Sequence, residues 1–234
     1  MKYNFIAVLI ITFSLSLSAQ YDFKEIKKLN CTDVKSQDRT GTCWSFATSS
    51  FLESEIMRIG KAEADISEMF IVSNIYKDKA RNYLLRQGKA NFSQGALSHD
   101  AMRAFGQFGT VPEFVFSGLK DGQSHDHGEM EAALKGLLDG VLKQKKLSKS
   151  WKSAVAAIID VYIGTAPEEF MVNGKKHSAT SYANSLGIDV DNYISLTSFT
   201  HHPFYESFIL EIPDNYSNGE FYNIPVEELS LIHI

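Results

Sequence analysis

The chain has 234 residues, 44% of them hydrophobic and 22% charged, with 23 basic residues against 28 acidic ones and a net charge of −5. This length can bury a real core in one or two domains, and the composition is that of an ordinary soluble protein. The mild acidity speaks against a phosphate-binding surface, so no nucleic-acid partner is expected, and no repeat or low-complexity tract marks a solenoid or a disordered chain.

Residues 1–19 form the first element. Lys2 precedes an apolar run from Phe5 to Leu17, and small residues follow at Ser16, Ser18 and Ala19. The run is short for a membrane span and has no basic flank, so a cleavable export signal is expected, with an uncleaved anchor as the other reading. Export places the mature protein in the periplasm or outside the cell, with no stable membrane anchor. Without Lys2, 22 basic residues face 28 acidic ones, a formal charge of −6.

The next element carries the chemistry. Gln37 lies six residues before Cys43, which is followed by Trp44 and by apolar residues at Ala47, Phe51, Leu52, Ile56 and Ile59, then Gly60. This is the period of an amphipathic helix with a glycine stop. Thr42 suits the N-cap, so Cys43 falls in the first turn. A thiol there faces unpaired backbone N–H groups and the positive end of the helix dipole, which favour the nucleophilic thiolate. Gln37 could fold back so that its amide and the Cys43 N–H meet at a developing oxyanion, with Gly41 allowing close backbone approach. The alternatives for Cys43 are a buried thiol or a disulfide with Cys31, the other cysteine. Cys31 itself is expected as a small buried or loop thiol.

Further along, Ser67 caps a helix running to Leu85, with Phe70, Ile71, Ile75, Tyr83 and Leu84 among its buried positions. Residues 91–96 form a loop. Ser98 to Phe108 is a third helix stopped by Gly109. The polar loop 121–128 carries His125 and His127; a solvated loop is the expectation, a shared metal the alternative. Helices follow at Glu129 to Lys143 and Ser150 to Tyr162. The lysines between them, Lys143, Lys145, Lys146 and Lys149, suit a solvated helix end better than an anion contact. Residues 170–176 have the pattern of a hairpin turning at Asn173-Gly174. Ser178 to Leu186 is a helix ended by Gly187, and 193–199 and 204–212 are strand candidates.

Thr40-Gly41-Thr42-Cys43-Trp44 resembles the Cys-Gly-Ser/Ala-Cys-Trp/Tyr signature of papain-like cysteine peptidases, with Thr40 where that family carries its first Cys. The Ser67-Glu68 step also resembles papain-like domains, and the Thr and the Gly109-Thr110-Val111-Pro112-Glu113 step make the chain more similar to the bleomycin hydrolase and aminopeptidase C branch. The resemblance implies an α+β papain-like fold over about 20–228, mainly the helical domain. The helical insertion of that branch would span about 129–190, and the β-rich domain would be largely missing. It implies Cys43 as nucleophile, Gln37 as oxyanion donor, and Gly95 and Trp44 on the substrate side, though Gly95 could equally be a plain turn glycine. Peptides are the implied substrates, no cofactor or metal is called for, and a homohexamer is possible. Its known members are cytoplasmic, so the export signal is a departure.

A base and its orienter are also required, a His and an Asn in an Asn-Ser-Trp step. None of the seven histidines has the matching context; His177 and His201-His202-Pro203 come nearest. Residues 229–234, Leu-Ser-Leu-Ile-His-Ile, are what the mosaic end of a sequencing-library transposon encodes. They are therefore expected to be adapter-derived, with the native chain continuing and this 234-residue chain inactive. The competing readings are a non-catalytic peptide-binding protein on a degenerate peptidase fold, and a small exported domain stapled by Cys31–Cys43.

Overall fold

A computed structural model describes residues 25–120, 124–210 and 216–232. The expected export signal, His233 and residues 121–123 lie outside the described residues.

Five helices form the bulk of the fold: α1 (Cys43–Arg58), α2 (Glu68–Leu85), α3 (Ser98–Phe108), α4 (Gly128–Leu142) and α5 (Ser150–Tyr162). A hairpin, β1 (Phe170–Val172) and β2 (Lys175–His177), leads into α6 (Ala179–Leu186). A small sheet of β3 (Ser195–Thr197), β4 (Ser207–Leu210) and β5 (Gly219–Asn223) follows, then α7 (Val226–Ile232). The sheet order is β3-β5-β4, with β3 parallel and β4 antiparallel to β5. The segment expected as an insertion, 129–190, holds nearly all of α4 together with α5, the hairpin and α6.

Helix α2 is the hub and packs on α1, α3, α4 and α5. Its apolar residues recur at helical spacing, so Ile71, Val72, Ile75, Tyr76, Ala80, Tyr83 and Leu84 are all buried. Ser67 caps it as expected, accepting from the Phe70 N–H at 3.0 Å. Gly187 ends α6 in the left-handed conformation at φ 80°, and Asn173 and Gly174 turn the hairpin at φ 49° and 76°.

Two expectations need correction. The buried side of α1 is Trp44, Ser45, Thr48, Ser49, Leu52, Glu53 and Ile56, whereas Ala47 is exposed, Phe51 is 48% exposed and Ile59 37%. Small hydroxyl residues let α1 sit close on the start of α2, where Ser45 Oγ donates to the Glu68 carbonyl at 3.0 Å. The apolar residues on its other side face a cleft instead. In the loop before α4 the two histidines are likewise not solvated. His125 and His127 are both buried, and burial pushes His127 down to about 4.

Beneath α1 and α2, the N-terminal segment is latched by charge. Lys35 Nζ bonds Glu68 at 2.8 Å and also Asp65, with Glu53 at 3.7 Å. Thr32 Oγ1 donates to Glu53, and the Ile66 N–H to the same carboxylate at 2.9 Å. Glu113 stands at the rim of this cluster, where burial and the neighbouring carboxylates raise it to about 7.

Strand β5, absent from the sequence expectations, ends on the fully buried Asn223. Its side-chain amide donates to the carbonyls of Phe199, His202 and Pro203 at 2.9, 3.0 and 3.1 Å and accepts from the Phe199 N–H at 2.8 Å. One side chain thus satisfies the loop between β3 and β4. Asn223→Ala leaves these part-buried groups without the amide and opens a space at a fully buried position, so a destabilisation of about 2 kcal/mol is expected in urea denaturation. A variant as stable as the parent would show that water replaces the amide.

Candidate active site

The site is built on the start of α1. Cys43 is an exposed free thiol at the first helical position, and Cys31 is a second exposed free thiol, so no disulfide joins them. Thr42 stands at the N-cap but its hydroxyl makes no capping bond; it pairs with the Thr40 hydroxyl at 2.5 Å. The first-turn N–H groups are therefore left without a side-chain cap beside the thiol, where a helix start favours negative charge.

Gln37 is half-buried in the loop before the helix. Its Nε2 donates to the Thr40 carbonyl at 2.5 Å, and Thr40 Oγ1 donates back to the Gln37 carbonyl at 2.8 Å. This closes the turn expected from the spacing, although one amide hydrogen of Gln37 is spent on Thr40 rather than turned to the cleft. The amide carries a second hydrogen besides the one given to Thr40. The turn is fixed from behind by the 124–127 loop. Asp38 accepts from the His125 N–H at 3.0 Å, and the Arg39 N–H donates to the His125 carbonyl at 3.0 Å. The His125 N–H holds the Asp38 carboxyl below its usual range.

On the other side, loop 91–96 packs directly on Cys43's neighbours through Gln94, a residue the sequence analysis did not single out. Gln94 Oε1 accepts from the Gly41 N–H at 2.7 Å, and its carbonyl accepts from the Trp44 indole at 3.0 Å. A Cβ on Gly41 would meet the Gln94 Cβ at 3.0 Å, so the close approach expected of this glycine is made to Gln94. Trp44, expected on the substrate side, is buried at 6% exposure, and its indole supports the loop instead of standing open to solvent. Gly95 is exposed, with open space where a side chain would stand. Its carbonyl accepts from Lys79 Nζ, as does that of Ser93 at 2.7 Å.

No described histidine is hydrogen-bonded to Cys43. His177 is stacked on Phe170, His202 on Phe208, and His99 Nε2 lies 3.2 Å from Ser217 Oγ. His127 Nδ1 meets the Tyr76 hydroxyl at 3.4 Å. No group of metal-ligand side chains occurs among the described residues. A cleft of about 720 Å³ opens one turn further along α1, between Ala47, Phe51 and Met102 on the helices and Tyr193, Leu196 and Tyr222 at the sheet. Cys43, Gln37 and Gly95 do not line it.

The arrangement offers an accessible thiol, the backbone N–H groups of a helix start beside it, and a braced loop along one flank. That is the equipment for attack on a carbonyl. Residues 17–113 match the sequence model of the papain family cysteine protease. Among solved structures, the fold is similar to PepW from Lactobacillus rhamnosis HN001, at a TM-score of 0.65 and 15% identity. The match covers 95% of this chain and 59% of that one, so the chain spans about three-fifths of the length of its structural relative. No curated protein matches the sequence. The fold is α+β and papain-like, and the segment bearing Cys43 is the part that matches the papain-family sequence model.

Proposed function

We propose that the chain is the nucleophile-bearing part of an exported cysteine aminopeptidase of the aminopeptidase C and bleomycin hydrolase type. The observation that carries this reading is the exposed Cys43 at an uncapped helix start, inside the papain-family segment 17–113. The thiolate attacks the scissile carbonyl of a peptide. The oxyanion is held by the Cys43 N–H and the free hydrogen of the Gln37 amide, and the leaving amine takes a proton from a histidine. No described histidine pairs with Cys43, so the base and its orienting asparagine are read as external to the described residues. Gly95 offers its N–H to the substrate backbone. The signal at 1–19 directs the protein out of the cytoplasm, and a homohexamer is the assembly that suits this type.

An aminoacyl-amide reporter tests the reading. The 234-residue chain is expected to be inactive, and the chain extended through the downstream sequence is expected to hydrolyse the reporter and to spare its N-acetylated form. Equal cleavage of both forms would contradict the aminopeptidase assignment. Turnover by the 234-residue chain would contradict the external base.

A further inference from the structure

Lys79 lies on the buried stripe of α2, one turn beyond Tyr76, and is only 1% exposed. A buried ammonium is costly unless every N–H finds an acceptor. Here Nζ donates to the Ser93 and Gly95 carbonyls and lies 5.7 Å from the Tyr76 ring centroid and 5.4 Å from that of Tyr216. The two carbonyls flank Gln94, the residue that holds the Gly41 N–H and the Trp44 indole. A continuous chain of bonds therefore runs from the hub helix through the 93–95 loop to the residues on either side of Cys43. Tyr83 of the same helix also meets the loop, its ring 5.8 Å from that of Phe92, but Lys79 bonds the backbone on both sides of Gln94.

We propose that Lys79 is a positioning residue of the active site: its ammonium fastens the Ser93–Gly95 loop and so sets Trp44, Gly41 and the Gly95 N–H relative to Cys43. The proposal rests on the peptidase reading for its meaning, but its structural content stands apart from turnover. The charged groups facing Lys79 are Asp100 on α3 and Glu131 on α4, which favour the ammonium. Tyr76 and Tyr216 supply the rings, and Arg103 lies on Tyr216, 5.4 Å from that ring. Burial outweighs the two carboxylates and brings Lys79 down to about 8. Loss of the charge weakens both bonds to the carbonyls, because charge-assisted bonds are about twice as strong as neutral ones. The loop should therefore loosen as pH rises through that value.

The test uses the full 234-residue chain carrying Trp151→Phe, which leaves Trp44 as the sole tryptophan. Trp44 emission and acrylamide quenching are followed from pH 6 to 10. In the parent, emission is expected to shift to the red and quenching to rise severalfold, with a midpoint near pH 8. Lys79→Arg keeps the buried emission across the range. Lys79→Met shows the loosened values at every pH. A pH-independent Trp44 in the parent, or a Lys79→Met chain with the parent's pH 6 signature, would overturn the proposal. If Lys79→Met does not fold, the parent titration and Lys79→Arg decide. Failure of the reporter assay with a normal Trp44 titration would count against the peptidase reading alone.

Discussion

Cys43→Ala in the extended enzyme is expected to abolish peptide hydrolysis while leaving the fold intact. The thiol is exposed and has no hydrogen-bond partner among the described residues, so its removal opens no cavity and orphans no polar group. The chemistry, by contrast, has no second nucleophile beside the helix start. Removing the nucleophile of comparable sites costs on the order of 10⁴-fold to 10⁶-fold in kcat, with residual rate coming from the oxyanion donors. Steady-state kinetics and a melting curve on the same preparation check this. Retained turnover would place the nucleophile elsewhere. Cys31→Ala serves as the control and is expected to be silent.

Gln37→Ala is expected to lower kcat by roughly a hundredfold or more, about 3 kcal/mol of barrier, with KM nearly unchanged, because an oxyanion donor acts mainly in the transition state. The turn should survive the substitution. Thr40 Oγ1 still donates to the backbone carbonyl of residue 37, and Asp38 and Arg39 still bond the His125 backbone. A fall in kcat/KM caused by KM alone would mean that Gln37 only shapes the turn through Thr40.

Much of the helical half was legible in the sequence, because its helices carry strong punctuation. Ser67 and Gly109 bound α2 and α3 closely, and Asn173-Gly174 placed the hairpin turn. The candidate nucleophile stood out because Cys, Gln and Trp hold a fixed spacing before a helical pattern, and Cys43 does open α1 as an exposed thiol. The buried face of α1 was not. Periodicity assigns apolar residues to the interior, but α1 buries Ser45, Thr48 and Ser49, bonds α2 through Ser45 and leaves Phe51 at the cleft. Strand β5 was missed because Glu220, Phe221 and Tyr222 show no clean alternation, and its end is fixed by Asn223 reaching back across the sheet to residues 199–203. His125 and His127 are buried against Phe46 and Tyr76, partners far away in sequence. Lys79 had a signal. A lysine on the same stripe as Val72, Tyr76 and Tyr83 must find acceptors, and those acceptors are the carbonyls of the loop that braces Trp44.

The central claim is that Cys43 is the nucleophile, and a peptidyl thiol-reactive probe tests it most directly. The 234-residue chain is incubated with the probe and digested, and the adduct is mapped by mass spectrometry over time. The adduct is expected on Cys43, forming far faster than on Cys31, although both thiols are exposed. Equal labelling of the two cysteines, or preferential labelling of Cys31, would contradict the account.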